Sequence, residues 1–186
     1  IPIQGMPSAP HLDFVGEVKQ ITKFPIFHAS KINDVATARH AIASGKLDMV
    51  GMTRAHIADP HIVKKIIENK EETIRPCVGA TYCLDRIYEG KGVLCVHNPA
   101  TGREQYMPHS IETKSKNSKK IVIVGAGPSG LEAARVCSER DHEVIVFEAS
   151  DKPGGQINLI TRSPNRKDMV GIIDWRLQSC EKNNVK

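Results

Sequence analysis

The sequence predicts an α/β protein with parallel strands, and three observations carry that expectation. Residues 1–76 alternate short apolar runs with helix-period segments, the β-α-β-α order of a parallel sheet. From residue 119 onward a strand runs into a glycine turn, a helix and a second strand. Between these blocks lie a cysteine-rich segment, 77–99, and a polar connector, 100–118.

FPIFHAS (Phe24–Ser30) is the first strand run. DVATARHAIASGK follows, with Val35, Ala38, Ala41 and Ile42 on one helical face and Gly45 as a stop. LDMVGM (Leu47–Met52) is the second strand run. HIVKKIIEN opens another helix after Asp59-Pro60, with the proline expected in the first turn, where its missing N–H costs nothing. The connector SIETKSKNSKK is Lys/Ser-rich with little to bury, so a domain boundary is expected there.

Composition narrows the function classes. The 186 residues are 40% hydrophobic and 25% charged, which fits a cored protein rather than a disordered one. Aromatics are only 4%, too few for a stacking platform for single-stranded nucleic acid. The net charge of +5 owes much to Lys114–Lys120, which suits a solvated linker better than a polyanion site, so no nucleic-acid partner is expected. Five cysteines, an odd number, point to a reducing, cytoplasmic setting with thiols free or metal-bound. No run approaches the roughly 20 apolar residues of a membrane span. A start at Ile1 rather than Met, and an end at Lys186 after a helical pattern, fit a fragment of a longer protein.

IVIVGAGPSG is the strongest local motif. Gly125, Gly127 and Gly130 form G-x-G-x-x-G directly after the strand Ile121–Val124 and before the helix Leu131–Ser138, with Pro128 and Ser129 inside the turn. The first glycine permits the turn, the second lets a pyrophosphate approach the backbone, and the third lets helix and strand pack closely. EVIVFEAS then ends in Glu148, placed to accept hydrogen bonds from a ribose hydroxyl pair and to disfavour a 2′-phosphate. A second glycine pair, Gly154 and Gly155, with Gln156 beside it, is similar to the FAD-binding variant of this fold; an ordinary loop is the competing reading.

In the first block Ser30 and Lys31 follow one strand, and Thr53 and Arg54 follow the next. Loops after the last two strands of a β/α barrel commonly form a phosphate site, and backbone N–H groups plus one arginine fork suit a phosphate monoester such as that of FMN. Taken alone, an arginine in that position is more often a surface or ion-pair residue. His28, at the end of FPIFH, is read as an ordinary packed or solvated histidine.

The order of these pieces is more telling than any one of them. GMPSAP, FPIFHASKI, GMTRAHIADP, CVGATYCLDRIYEGKGVLCVHNP, IVIVGAGPSG and VFEASDKPGGQ together resemble the iron–sulfur flavoenzymes of the 2,4-dienoyl-CoA reductase and trimethylamine dehydrogenase family, related to old yellow enzyme. CVGATYCLDRIYEG is most similar to the branch of N-methylproline and related N-methyl-amine demethylases.

The resemblance implies that residues 1–76 are the C-terminal part of an FMN-binding (β/α)8 barrel. It implies that 77–99 holds a 4Fe–4S cluster, and that 119–186 begins a Rossmann-like FAD- or ADP-binding domain. Ser30, Lys31, Thr53 and Arg54 then become FMN-phosphate residues. The family pattern is C-x-x-C-x-x-C with a fourth cysteine further on. Cys77, Cys83 and Cys95 match three positions, and Ala80 stands at the second.

Three thiolates suit a 3Fe–4S cluster, or a 4Fe–4S cluster whose last iron takes another ligand. Tyr82, Asp85 and His97 are the nearby substitutes, while Cys137 and Cys180 fall in helices and are expected to pack. Single zinc and no metal at all stay open as alternatives. The implied activity of a longer parent is electron transfer between flavins through the cluster, with NAD(P)H feeding the reductase direction. The implied substrate is an enoyl thioester or an N-methylated amine, and a homo-oligomer or an electron-acceptor protein is a further expected partner. No catalytic residue is assigned, because substrate-handling groups of such barrels lie on earlier strands. The rival reading is a non-catalytic FAD- or ADP-ribose-binding module with idle cysteines.

Overall fold

The computed structural model describes residues 4–112 and 114–186. The chain divides into two compact units, Ile1–Thr101 and Gly102–Lys186.

In the first unit α1 (Leu12–Ile21) precedes β1 (Phe27–His28), α2 (Val35–Ala43) and β2 (Met49–Val50). The strands pair in parallel, with Phe27 opposite Met49 and His28 opposite Val50. Both are shorter than the apolar runs predicted. A ladder lasts only while both chains stay extended. Here Lys31 turns the first away through a left-handed φ of 52°, and Thr53 starts a helix on the second. Gly51 closes the pairing, its N–H donating to the His28 carbonyl at 2.8 Å. A Cβ at this position would stand 2.6 Å from the Ala29 Cβ, so the strand ends meet only because residue 51 is glycine.

Asp34 caps α2 by accepting the Thr37 N–H at 2.7 Å, and Gly45 ends it at φ 70°, the expected stop. Ala41 of the predicted apolar face is buried with Leu12, Ile32 and Leu47. Ile42 is not; it remains 43% exposed. Two short helices follow, α3 (Thr53–Ala58) and α4 (Ile62–Ile67). Sequence periodicity missed α3, because one and a half turns are too short to show a period. Pro60 lies before the His61 cap and not in the first turn of α4. The turn is made instead by Asp59, whose carboxylate accepts the His61 N–H at 3.0 Å. A 3-10 turn at Glu71–Thr73 leads into the cysteine segment, which contains α5 (Tyr82–Tyr88).

In the second unit β3 (Lys120–Val124) pairs in parallel with β4 (Glu143–Phe147) over five residues, from Lys120 opposite Glu143 to Val124 opposite Phe147. Between them α6 (Pro128–Glu139) begins three residues earlier than the sequence suggested. Its N-cap is the extended Gly127 (φ −72°, ψ 179°), and Pro128 at the first position has no N–H to satisfy. Then come α7 (Gln156–Ile160), a 3-10 stretch at Pro164–Val170, and α8 (Gly171–Lys182).

Ala134, Val144 and Cys180 form the core of this unit, with Ile121, Ile123 and Cys137 against it. The two helical cysteines therefore pack, as their positions implied. The α6–α8 contact also buries charge: Glu132 faces Arg135 at 2.7 Å and Arg176 at 2.9 Å, and Arg135 sits 5.3 Å from the Trp175 ring. The connector is not wholly solvated. Lys114 Nζ donates to the Glu139 carbonyl at 2.6 Å, and the Ser115 N–H to the Arg140 carbonyl at 2.9 Å.

Candidate functional site

Cys77, Cys83 and Cys95 reach one pocket from three places: the extended segment after the 3-10 turn, the first turn of α5, and the loop beyond α5. Ala80 and Arg54 line the same pocket. Among the described residues no three His, Cys, Asp or Glu side chains converge as the ligands of one ion would. Thiolates of an iron–sulfur cube each bond a different iron, so a shared pocket is what a cluster asks of them. The donor set fits in part: three soft thiols are gathered, and the fourth position is a methyl group.

Electrostatics bear on the same point. Burial pushes the Cys77 thiol up, the Gly79 N–H and the Arg54 guanidinium pull it back, and the neighbouring thiols add repulsion. Burial also raises Cys83, and the charge of Cys95 raises it further. Three crowded thiolates need a cation to be stable.

The residues that hold this pocket have roles that the sequence did not indicate: Asp59 drew no functional reading, and His97 stood only as a substitute ligand. Asp59 is 4% exposed, and its carboxylate accepts from Lys65 Nζ at 2.6 Å and from the Arg75 N–H at 2.8 Å, two residues before Cys77. Burial opposes its charge, yet the Lys65 ammonium and these N–H groups hold its carboxyl below the usual range. His97 is fully buried and does not line the pocket. Its Nδ1 donates to the Pro76 carbonyl at 2.9 Å, and its N–H donates to Cys95 Sγ at 3.4 Å, so it ties the Cys95 loop to the Cys77 segment. Asn98 Nδ2 at 3.2 Å and Thr101 Oγ1 at 2.8 Å both donate to the Ile57 carbonyl of α3. The one signal available was the run His97-Asn98-Pro99-Ala100-Thr101, which straddles the end of the cysteine segment and the start of the expected connector and is buried, apart from a half-buried Pro99.

Ser30, Thr53 and Arg54 line a second pocket together with His11 and Asn33. Arg54 therefore borders both this pocket and the thiol pocket. Lys31 is placed differently. It is 6% exposed, and its ammonium donates to the Met6 carbonyl of the GMPSAP loop. His28 lines neither pocket, and burial lowers its basicity.

In the second unit the glycine turn takes the geometry its motif requires. Gly125 adopts φ 98°, and a Cβ at Gly130 would lie 1.9 Å from the Gly125 carbonyl oxygen. Pro128 and Ser129 begin α6, whose positive dipole end and free first-turn N–H groups face out of the turn.

Glu148 does more than end β4. Its carboxylate accepts from Ser150 Oγ at 2.7 Å, Ser150 N–H at 2.9 Å and Ala126 N–H at 2.7 Å. These bonds, that of the Ser150 hydroxyl foremost, lower its pKa to about 2. Three of about four lone-pair sites are thereby engaged. The second glycine pair packs on the first: the Gly154 N–H donates to the Ala126 carbonyl at 2.8 Å, and a Cβ at Gly155 would meet the Gly127 Cα at 3.3 Å. Gln156 starts α7 and is exposed. Among the described residues no helix is long and apolar enough to cross a membrane.

Residues 123–176 match the family described as NAD(P)-binding Rossmann-like domain. The chain is 67% identical, over all of its length, to a probable N-methylproline demethylase of Rhizobium meliloti (strain 1021), of which it covers 27%. It is 50% identical over 97% of its length to a multifunctional alkene reductase/demethylase of Caballeronia cordobensis, of which it covers 26%. Among solved structures, a 2-naphthoyl-CoA reductase in complex with 2-naphthoyl-CoA superposes with TM-score 0.90 at 30% identity, over 99% of this chain and 28% of that one. The chain thus spans about a quarter of the length of the relatives it matches, which are demethylases and reductases by name. The likeness read from the motif order holds along the whole chain.

Proposed function

From a likeness to demethylases and reductases that runs the full length of this chain, we propose that it is part of a flavin-dependent oxidoreductase. In this reading the first unit is the end of an FMN-binding barrel with its cluster segment, and the second opens an FAD- or ADP-binding domain. Bound there, the flavins would supply hydride and single-electron chemistry and the cluster single-electron transfer.

The chain's own residues have definable tasks. Ser30, Thr53 and Arg54 would hold the FMN phosphate, the guanidinium offering a planar fork of donors. Cys77, Cys83 and Cys95 would hold the cluster, positioned by Asp59 and His97. Gly125, Gly127 and the start of α6 would take the pyrophosphate. Glu148 would share its remaining acceptor capacity with a ribose while keeping the turn shut. The substrate class favoured by the 67% identical relative is an N-methylated amine, with the enoyl thioester direction as the reductase counterpart.

The observation that carries the proposal is Arg54 lying between a phosphate-type pocket and a three-thiol pocket. Such a residue suits a place where two cofactors are neighbours. Anaerobic expression of the full-length protein, followed by absorption spectroscopy and iron and sulfide assays, tests it. A flavin spectrum with cluster absorbance is expected. A colourless, iron-free protein that still binds nucleotide would sink the electron-transfer reading and leave a nucleotide-binding module.

A further inference from the structure

Resting on the reading of Glu148 as a ribose carboxylate, we propose that Ser150 sets how many ribose hydroxyls this carboxylate accepts, by turning its own hydroxyl from Glu148 to the Lys152 carbonyl when a 2′,3′-diol arrives. The residues present fit such a ligand. A Cβ at Gly127 would meet nothing within 4 Å, so the backbone of the turn is open to a pyrophosphate. Glu148 and Ser150 are both exposed, within reach of a nucleotide laid across that turn.

A carboxylate offers about four lone-pair sites, two on each oxygen. Glu148 Oε1 accepts both the Ser150 N–H at 2.9 Å and the Ser150 hydroxyl at 2.7 Å, so it is full. Oε2 accepts the Ala126 N–H at 2.7 Å and keeps one site. One open site serves one ribose hydroxyl, and a diol brings two. The backbone N–H donors of Ala126 and Ser150 are fixed by the turn and the loop, so the second site has to come from the Ser150 hydroxyl. That hydroxyl carries a single proton and already stands 3.0 Å from a second acceptor, the Lys152 carbonyl. Only the O–H bond has to rotate; the Ser150 side chain and backbone stay in place. The exchange gives up a bond to a charged acceptor for a weaker neutral one, and the incoming hydroxyl restores the donor that the carboxylate loses. A ligand with one hydroxyl is taken on Oε2 with no exchange at all. Ser150 is thus a positioning residue that tunes the preference for an unmodified diol.

The test is calorimetric titration of the full-length protein, freed of bound nucleotide, with ADP and with 2′-deoxy-ADP. Wild type is expected to bind ADP about tenfold more tightly than 2′-deoxy-ADP, the effect of one further hydrogen bond to a charged group. Ser150→Ala keeps the backbone N–H and removes the competing hydroxyl. Its affinity for ADP should rise about threefold, while that for 2′-deoxy-ADP stays at the wild-type value. Equal wild-type affinities for the two nucleotides overturn the proposal with no variant needed, since the second hydroxyl then finds no acceptor. A Ser150→Ala change that weakens both alike, or moves neither, also overturns it and leaves Ser150 a brace of its loop. Glu148→Ala binding ADP as tightly as wild type overturns the ribose reading of Glu148 together with this proposal; the other two results leave that reading standing.

Discussion

Gly130 and Gly127 stand three residues apart and are needed for different reasons. A methyl group at Gly130 would drive into the Gly125 carbonyl, whereas one at Gly127 meets nothing within 4 Å. Gly130→Ala is therefore expected to destabilise the second unit by roughly 1–3 kcal/mol, the usual cost of overpacking. Gly127→Ala should melt near wild type but lose nucleotide affinity, because the added methyl occupies the approach of the pyrophosphate. Thermal melts and a nucleotide titration on both variants check the distinction.

Glu148 gives a second expectation at this scale. Its folded pKa of about 2 lies below an unfolded value of roughly 4.3, so its contribution to stability is complete above the latter. That contribution is lost as pH falls through about 2. A carboxyl NMR titration should show the group still ionised at pH 3. A midpoint near 4 would mean that the bonds from Ser150 and Ala126 are not held in solution.

At the scale of elements, the cysteine pocket depends on how α3, α4 and two loops are laced together. Asp59 takes the end of α3, the start of α4 and the segment before Cys77 onto a single carboxylate. Asp59→Ala leaves the half-buried Lys65 ammonium with the Thr73 carbonyl and takes the carboxylate acceptor from the Arg75 N–H, which costs about 1–3 kcal/mol. Denaturant unfolding of the full-length protein should show that loss, and the iron content should fall with it. His97→Ala is expected to be milder on stability and to release iron first, since the ring joins two ligand-bearing segments rather than filling the core. Neither role was visible along the chain. Asp59 precedes a proline and reads as a turn residue, and His97, two residues after Cys95, reads as a substitute ligand without a persuasive spacing. The partners that define them, Arg75 and Pro76, are distant in sequence.

At the scale of the whole molecule, each unit leaves apolar side chains uncovered. Ile21 is 85% exposed, Phe24 79%, Phe27 62% and Val124 86%. Large apolar side chains on that scale mark surface that further structure covers. A two-strand parallel sheet cannot close a barrel. The 186-residue chain expressed alone is accordingly expected to bind the dye ANS more strongly, per residue, than the full-length protein. Equal binding would show that these faces are satisfied within the chain.

The sequence by itself determined the α/β class, the strand–turn–helix of the dinucleotide motif, the packing role of the helical cysteines and the likeness to demethylases and reductases. Those features are local: a glycine at a turn or an apolar period in a helix is legible because its physical reason lies within a few residues. Tertiary structure alone decided that Arg54 borders two pockets, that Lys31 turns to the Met6 carbonyl while Ser30 lines a pocket with Thr53, and that Ala80 shares a pocket with three thiols. It also decided that Ala100 and Thr101, expected at the start of a polar connector, are buried. Each of these depends on where a side chain meets a group tens of residues away. No spacing rule carries that information, because burial and hydrogen bonding are settled only when the segments pack.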